Sequence, residues 1–169
     1  MTKLNTLRDL LVHELQDIYS AEEQIIAALP KMERAATSEQ LKASFRMHLE
    51  ETQMHKRRLE RVFSELGASP GGKPCKGMEG LIKEGEEVIK ELADPRVKDA
   101  ALIGAAQRVE HYEMAAYGTA RTFAGELGLD NIKSTLQQTL DEEGATDKKL
   151  TALAEGGMFK EGINAQAKA

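Results

Sequence analysis

Apolar residues recur every seven positions along most of the chain, a pattern typical of helices packed in a bundle. The first repeat predicts a helix from Leu4 to about Ala35, and the second predicts a helix that ends before Gly67. A third long helix is expected after Asp94-Pro95, which suits an N-cap followed by the first helical residue. A fourth begins near Asp130. The pattern therefore predicts two helical hairpins, at residues 4–66 and 96–155.

About thirty residues connect the two hairpins, and they contain a Pro- and Gly-rich loop followed by a shorter amphipathic helix from Met78 to Leu92. A single long crossover between two helical hairpins is typical of ferritin-like folds. The predicted fold is therefore an all-α, ferritin-like antiparallel four-helix bundle, forming one domain over residues 1–155. The periodicity stops at Gly156, so residues 156–169 are predicted to be a flexible tail.

Composition narrows the classes of function. The chain has 169 residues, and 23 basic against 28 acidic side chains give it a formal charge of −5, which argues against a nucleic-acid partner. It lacks both a run of apolar residues long enough to span a membrane and an apolar segment after Met1 typical of a signal peptide. A single cysteine, Cys75, excludes an internal disulfide. We expect a cytoplasmic protein.

Carboxylates interrupt the apolar rows of the predicted helices. Glu22 lies one heptad from both Leu15 and Leu29, so its side chain is expected to point into the bundle. Glu113 and Glu143 occupy comparable places in the third and fourth long helices.

Counting from the turns places these carboxylates at one level. Glu22 and Glu51 each lie about fourteen residues from a turn near residues 36–37, and Glu113 and Glu143 each lie fifteen residues from a turn near 128. Four carboxylates in a low-dielectric core require protonation or a cation. The sequence therefore predicts one acidic layer with a carboxylate from each long helix.

One Glu from each helix, with additional His or Asp ligands one turn away, is the pattern of di-iron and di-manganese carboxylate bundles. His55 and Asp147 lie four residues after Glu51 and Glu143 and are predicted to complete the ligand set. The predicted cofactors are two Fe or Mn ions. The predicted metal ligands are Glu22, Glu51, His55, Glu113, Glu143 and Asp147.

Three choices stay open at this stage. Glu110 shares a helix face with Glu113, and His48 is either a ligand in addition to His55 or a buried neighbour of the site. A shift of one residue in helix register would exchange Glu143 for Glu142. The bland interpretation of a single Glu on an apolar row is a boundary residue, but four at one depth favour a metal site.

Several segments resemble the YciE/YciF family of ferritin-like bacterial stress proteins. The segments that carry the resemblance are Glu14 to Glu22, Ala28 to Lys31, Glu51-Thr52 with Arg58 to Phe63, Val109 to Gly118, and Thr139 to Glu143. The resemblance implies a rubrerythrin-like bundle with a dinuclear metal site, commonly a homodimer, in bacterial stress responses. Ferritin-like proteins usually carry Glu-x-x-His on two helices, whereas here Met54 and Thr146 stand at those positions.

Two functions are compatible with these residues. The first is stress defence by a dinuclear iron or manganese protein that reacts with peroxide or oxygen, or oxidises Fe(II), with Glu51 and Glu143 as bridging ligands. The second is a non-enzymatic helical stress protein that binds partners and holds a structural or vestigial metal site. A cage-forming iron store is less favoured, because the chain lacks a basic arm.

Overall fold

The computed structural model describes residues 4–91, 93–157 and 160–168, so Leu92 and residues 1–3 of the predicted domain lie outside the described residues. The elements in chain order are α1 (Leu7–Ala35), α2 (Glu39–Leu66), α3 (Lys76–Lys90), α4 (Pro95–Glu126), α5 (Asp130–Glu155), β1 (Gly156–Gly157), β2 (Lys160–Glu161) and α6 (Ile163–Gln166).

Local sequence signals define the ends of the long helices. Thr6 and Asp9 form a reciprocal capping box at the start of α1. Gly67 ends α2 with a φ of 63°, a left-handed conformation that glycine adopts without a steric penalty. Asp94 accepts a hydrogen bond from Arg96 N, and Pro95 is the first residue of α4.

Helices α1 and α2 pack as one hairpin and α4 and α5 as the other, with α3 in the crossover against α1 and α4. Asp99 of α4 ties the hairpins together, since its carboxylate accepts from Thr37 N at 2.8 Å and from Ser38 N at 2.7 Å. These residues form the turn between α1 and α2, so a buried carboxylate satisfies backbone donors that would otherwise be unpaired. The predicted all-α bundle with a helical crossover is confirmed.

Helix α3 is anchored through its N-cap residue, Cys75, which is completely buried. Its Sγ lies 2.9 Å from the hydroxyl of Tyr112, which also donates to Asp17 at 2.8 Å. The Tyr112 ring lies against Gly77, where an added Cβ would come within 2.6 Å of the ring. A glycine is therefore required where the crossover meets α4.

The apolar core has two parts separated along the bundle axis. One part contains Ile25, Phe45 and Leu150, and the other contains Leu11, Leu59 and Leu136. Buried polar residues from all four long helices lie between the two parts. The fold thus places a polar layer inside an otherwise apolar bundle.

The segment after residue 155, predicted to be a flexible tail, forms structure in its described part. The chain reverses at Gly156, whose φ is 79°, and β1 pairs with β2 in an antiparallel ladder. Ile163 of α6 is buried and joins the core. The helical periodicity could not reveal this segment, because its strands are only two residues long. Within the described residues, the structure has no helix of the length and hydropathy that crossing a membrane requires.

Candidate metal centre

Six buried side chains form the polar layer. They come from all four long helices: Glu22 from α1, His48 and His55 from α2, Glu110 and Glu113 from α4, and Glu143 from α5. None of the six is more than 4% exposed. Such a concentration of buried ionisable groups is stable only with protons, ion pairs or a cation as compensation.

The potential ligand atoms fall into two groups. One group comprises His48, Glu110, Glu113 and Glu143, and the other comprises Glu22, His55 and Glu143. Within each group, one ligand atom per residue can be chosen so that all of them lie within 4.8 Å of one another. Glu143 belongs to both groups, so its carboxylate is placed where it could bridge two cations.

Many of these atoms lack a well-aligned hydrogen-bond partner. They are Glu22 Oε2, His48 Nδ1 and Nε2, His55 Nδ1, Glu110 Oε2, and both carboxylate oxygens of Glu113 and Glu143. Unpartnered buried polar atoms are rare in folded proteins because each one carries a desolvation cost. Carboxylate oxygens and imidazole nitrogens are also the donors that iron and manganese accept together. The residues present therefore fit a dinuclear metal site.

His55 is oriented from outside the layer. Its Nε2 lies 2.9 Å from Glu142 Oε2, and both carboxylate oxygens of Glu142 accept from the Arg58 guanidinium. Its Nδ1 lies 2.8 Å from Glu143 Oε1 and 3.7 Å from Glu22 Oε1. With the Nε2 proton shared with Glu142, the Nδ1 lone pair would face the layer, an arrangement typical of metal-ligating histidines.

His48 has a comparable arrangement at the other end of the layer. Its Nε2 lies 3.1 Å from Glu110 Oε1, and its Nδ1 lies 3.8 Å from Glu51 Oε2. Glu51 in turn accepts from Thr146 Oγ1 at 3.3 Å and pairs with Lys149 Nζ at 3.5 Å. Each histidine of α2 therefore has an outer carboxylate that is paired with a basic residue.

Burial changes the proton affinities of the layer. It raises the pKa of Glu22 to about 8, an effect that the His55 charge opposes and the Glu143 charge reinforces. Burial likewise raises the pKa of Glu110 to about 7, with His48 opposing. Burial and the neighbouring carboxylates place the pKa of Glu113 well above its ordinary range.

Glu143 differs from the other carboxylates of the layer. Burial alone would raise its pKa, but the charge of the adjacent His55 imidazole outweighs burial and lowers it. The charge of His48 acts in the same direction. The carboxylate common to both ligand groups is thus the one that most readily loses its proton.

The structure brings together four of the predicted ligands: Glu22, His55, Glu113 and Glu143. On α4, both Glu110 and Glu113 lie in the layer, and on α2 both His48 and His55 do. Neither pair therefore requires a choice between its two members. Glu142 lies outside the layer and contacts Arg58 instead.

Asp147, also predicted as a ligand, is not a member of either ligand group. Its carboxylate accepts from Gln107 Nε2 at 3.1 Å and lies 3.3 Å from Nε2 of the exposed His111. Four residues after Glu143, it is rotated around α5 by about 40° from the inward direction. Its side chain therefore reaches the outer side of α4.

Glu51 is also not a member of either ligand group. The level predicted for it is correct, since it lies next to His48, but it faces the groove between α2 and α5. The neighbouring His48 imidazole lowers the pKa of Glu51 to about 2, and Lys149 lowers it further. Its position is that of an outer partner of a histidine.

The apolar rows favour His48 and Glu110, which the sequence left as open alternatives, over Glu51. His48 and His55 both lie on the buried stripe of α2, which also includes Thr52 and Leu59, whereas Glu51 lies off it. Glu110 belongs to a second buried row of α4, spaced by sevens, whose other members are Ile103, Tyr117 and Ala124.

Comparison with known proteins agrees with this architecture. Residues 6–167 match the family described as a domain of unknown function, DUF892. The chain belongs to this family. It is 46% identical to the protein YciF of Escherichia coli (strain K12) over 162 residues, which cover 95% of this chain and 98% of YciF.

Solved structures of relatives share the fold. The crystal structure of the E. coli stress protein YciF has a TM-score of 0.89 and 45% identity, covering 98% of this chain and all of the other. YcfI of Rhodopseudomonas palustris has a TM-score of 0.87 and 49% identity over 90% of this chain and 97% of that one. A ferritin-like diiron-carboxylate protein from Bacillus anthracis has a TM-score of 0.69 at 17% identity, covering 89% of this chain and 99% of the other, which supports the ferritin-like fold alone.

Proposed function

We propose that this protein binds two divalent metal ions, iron or manganese, in the buried polar layer and serves stress defence through their redox reactions. The observation that carries the proposal is the pair of overlapping ligand groups that share Glu143. The unpartnered oxygens of Glu113 and Glu143 support it, because bound cations would give these buried atoms the partners that the protein does not supply.

The residues divide into two metal positions. Glu22 and His55 would hold one ion, His48, Glu110 and Glu113 would hold the other, and Glu143 would bridge them. Bound iron or manganese supplies electron transfer with peroxide, oxygen or Fe(II) as reactant. The chain holds the ligands in place through Glu142 and Arg58, and the apolar parts of the core on both sides exclude water.

The first experiment is elemental analysis of the purified protein after expression with iron and manganese supplied. We expect about two metal ions per chain, as the ligand groups imply. The variant Glu22→Gln/Glu143→Gln keeps side-chain volume and is expected to lose both ions. The control Glu84→Gln/Glu87→Gln changes two exposed carboxylates of α3 and is expected to retain them. A well-folded wild-type protein that contains no metal would contradict the proposal.

Redox activity requires a separate test. Metal-loaded protein is expected to consume peroxide or to oxidise Fe(II) over many turnovers, and the Glu22→Gln/Glu143→Gln variant is expected to do neither. Stoichiometric metal binding without turnover would support the metal site but contradict the enzymatic part of the proposal.

A second candidate function is a non-enzymatic stress protein in which the layer is structural. The raised pKa values of Glu22 and Glu110 favour it, since protonated carboxyls can remain buried without a metal. Under this alternative the Glu22→Gln variant, whose amide resembles the protonated carboxyl, would retain its melting temperature and its binding of cellular partners. A cytoplasmic location is part of both proposals, and the unpaired, buried Cys75 is consistent with it.

A further inference from the structure

Two carboxylates border the buried layer and also reach the surface. The side chains of Glu51 and Glu142 are 27% and 30% exposed, and they face the outer nitrogens of His48 and His55 respectively. A cation approaching the layer from solvent would meet one of these carboxylates first. There are thus two possible routes into the layer, one past Glu51 and one past Glu142, and the side chains that contact these two carboxylates differ.

The route past Glu142 is closed by a compact set of contacts. The Arg58 guanidinium contacts both oxygens of Glu142, and Arg58 itself is only 11% exposed. Gln138 Nε2 donates to Glu142 Oε1 at 3.2 Å, and Arg58 also donates to Thr139 at 3.3 Å. Bidentate arginine–carboxylate pairs are strong and geometrically specific, so this carboxylate is fixed in place.

The route past Glu51 is held by weaker contacts. Thr146 Oγ1 and Lys149 Nζ lie 3.3 Å and 3.5 Å from its carboxylate oxygens, at the long end of hydrogen-bond distances. Lys149 is 46% exposed and is a flexible point charge rather than a planar fork. Lys149 also lines a solvent-open groove of about 530 Å³, which gives its side chain room to move away from Glu51.

We propose that divalent cations reach the buried layer past Glu51, which is the first carboxylate to bind them, with Lys149 as the gate. The proposal rests on the metal-binding function proposed above. Glu51 lies 3.8 Å from the unpartnered His48 Nδ1, and His48 Nε2 lies 3.1 Å from Glu110. A cation held by Glu51 is therefore one side chain away from the ligand group on α4. The Lys149 ammonium competes with the cation for Glu51 and slows its passage.

The test is the rate at which Mn²⁺ or Co²⁺ loads the metal-free, full-length protein, measured by stopped-flow spectroscopy. Lys149→Ala removes the competing charge and is expected to raise the loading rate about tenfold, within the range of local electrostatic effects on association rates. Glu51→Gln removes the first ligand and is expected to lower the rate by a similar factor. Both variants are expected to bind the same final amount of metal as the wild type.

Two controls separate the gate from overall charge. Lys148→Ala makes the same change of net charge at the adjacent, exposed position and is expected to leave the rate within twofold of wild type. Lys149→Arg retains the positive charge beside Glu51, and is expected to load slowly, as the wild type does. An equal acceleration in Lys148→Ala and Lys149→Ala would overturn the proposal.

The other side of the layer provides a direct comparison. Arg58→Gln loosens Glu142, and we expect it to accelerate loading less than Lys149→Ala does. A larger acceleration in Arg58→Gln would place the route at Glu142 and overturn the proposal, as would loss of bound metal at equilibrium in Glu51→Gln. A wild-type protein that retains no metal at equilibrium would instead overturn the metal-binding function itself.

Discussion

Tyr117 is the residue that most directly compensates a carboxylate of the buried layer. The tyrosine is fully buried, and its hydroxyl donates to Glu22 Oε1. Its ring also packs edge-on against His55, with ring centroids 6.5 Å apart. The phenol therefore supports two of the proposed ligands of one metal position.

Replacing Tyr117 by Phe is expected to destabilise the metal-free protein by about 1–3 kcal/mol, because Glu22 Oε1 would be left without its donor. Saturating Mn²⁺ should reduce this loss, since the cation would then partner Glu22. Urea unfolding with and without Mn²⁺ measures both effects. The control is Tyr19→Phe, whose exposed hydroxyl contacts Glu60 at 3.0 Å, and it should change stability little. Equal losses in the two variants would contradict the role assigned to Tyr117.

The protonation of the layer predicts how stability depends on pH. The pKa of Glu22 is about 8 in the folded protein against an ordinary value of 4.5, and that of Glu110 is about 7. The folded state thus keeps protons that the unfolded chain releases. Their contribution to stability is complete below the ordinary pKa and is lost as the pH rises through the folded values. The raised pKa values of His48 and His55 act in the same direction.

We therefore expect the free energy of unfolding of the metal-free protein to fall between about pH 4.5 and about pH 8, by up to about 1.4 kcal/mol per pH unit for each proton involved. Glu22→Gln cannot ionise and should flatten this slope, while the exposed Glu84→Gln should leave it unchanged. Urea titrations at several pH values measure the slope. Stability that rises over the same interval would show that the layer is not protonated as described.

At the scale of the elements, the attachment of α3 depends on the absence of a side chain at one position. Gly77 and Gly80 lie three residues apart in this helix, but only Gly77 faces the Tyr112 ring. An added Cβ at Gly80 would meet nothing within 4 Å. The two glycines are therefore a matched pair with opposite expectations.

Gly77→Ala is expected to lower stability by about 1–3 kcal/mol, because the new Cβ overlaps the ring that anchors the crossover. Gly80→Ala is expected to raise stability by about 0.5–1 kcal/mol, since alanine is the better helix former and has free space. Thermal and urea unfolding of both variants give the comparison. The same sign for the two changes would contradict the packing of α3 against Tyr112.

The helices could be predicted from the sequence to a greater extent than the site. Heptad spacing, caps and turn glycines are local signals, so they reveal each long helix and its approximate ends. Counting from the turns also gives the level of a residue along the bundle, which is why Glu22, Glu113 and Glu143 meet. The direction around the helix needs finer information than the spacing of three or four residues that groups Glu51 with His48 and Asp147 with Glu143. The side chains of Glu51 and Asp147 point away from the inward direction of their helices by a fraction of a turn, and this rotation places both outside the layer.

At the scale of the whole molecule, α2 presents apolar side chains to solvent. Met47 and Met54 lie one heptad apart on this helix and are 48% and 40% exposed. Methionine adapts to irregular packing surfaces and is common at protein interfaces. The family resemblance implies a homodimer, in which these exposed methionines of α2 would be covered. We propose that two copies of the chain associate through the stripe formed by Met47 and Met54.

Sedimentation equilibrium is expected to give twice the chain mass of 18.6 kDa for the wild type. Met47→Asp/Met54→Asp places charges on the stripe and is expected to yield monomers, because unpaired charges are costly to bury in an interface. Val97→Asp, at a position on α4 that is 43% exposed, is expected to remain dimeric. Dimers in all three proteins would place the contact elsewhere, and monomeric wild type would contradict the dimer.

Because Cys75 is buried at the start of α3, its reactivity toward thiol reagents reports when the crossover detaches from the bundle. It is the only cysteine in the chain, and its completely buried Sγ is packed against Tyr112. A thiol reagent can modify it only when the crossover detaches, so the labelling rate reads the population of that open form. Sub-global opening requires less free energy than complete unfolding. The native thiol can thus separate the loosening of one element from the melting of the bundle, without an added probe.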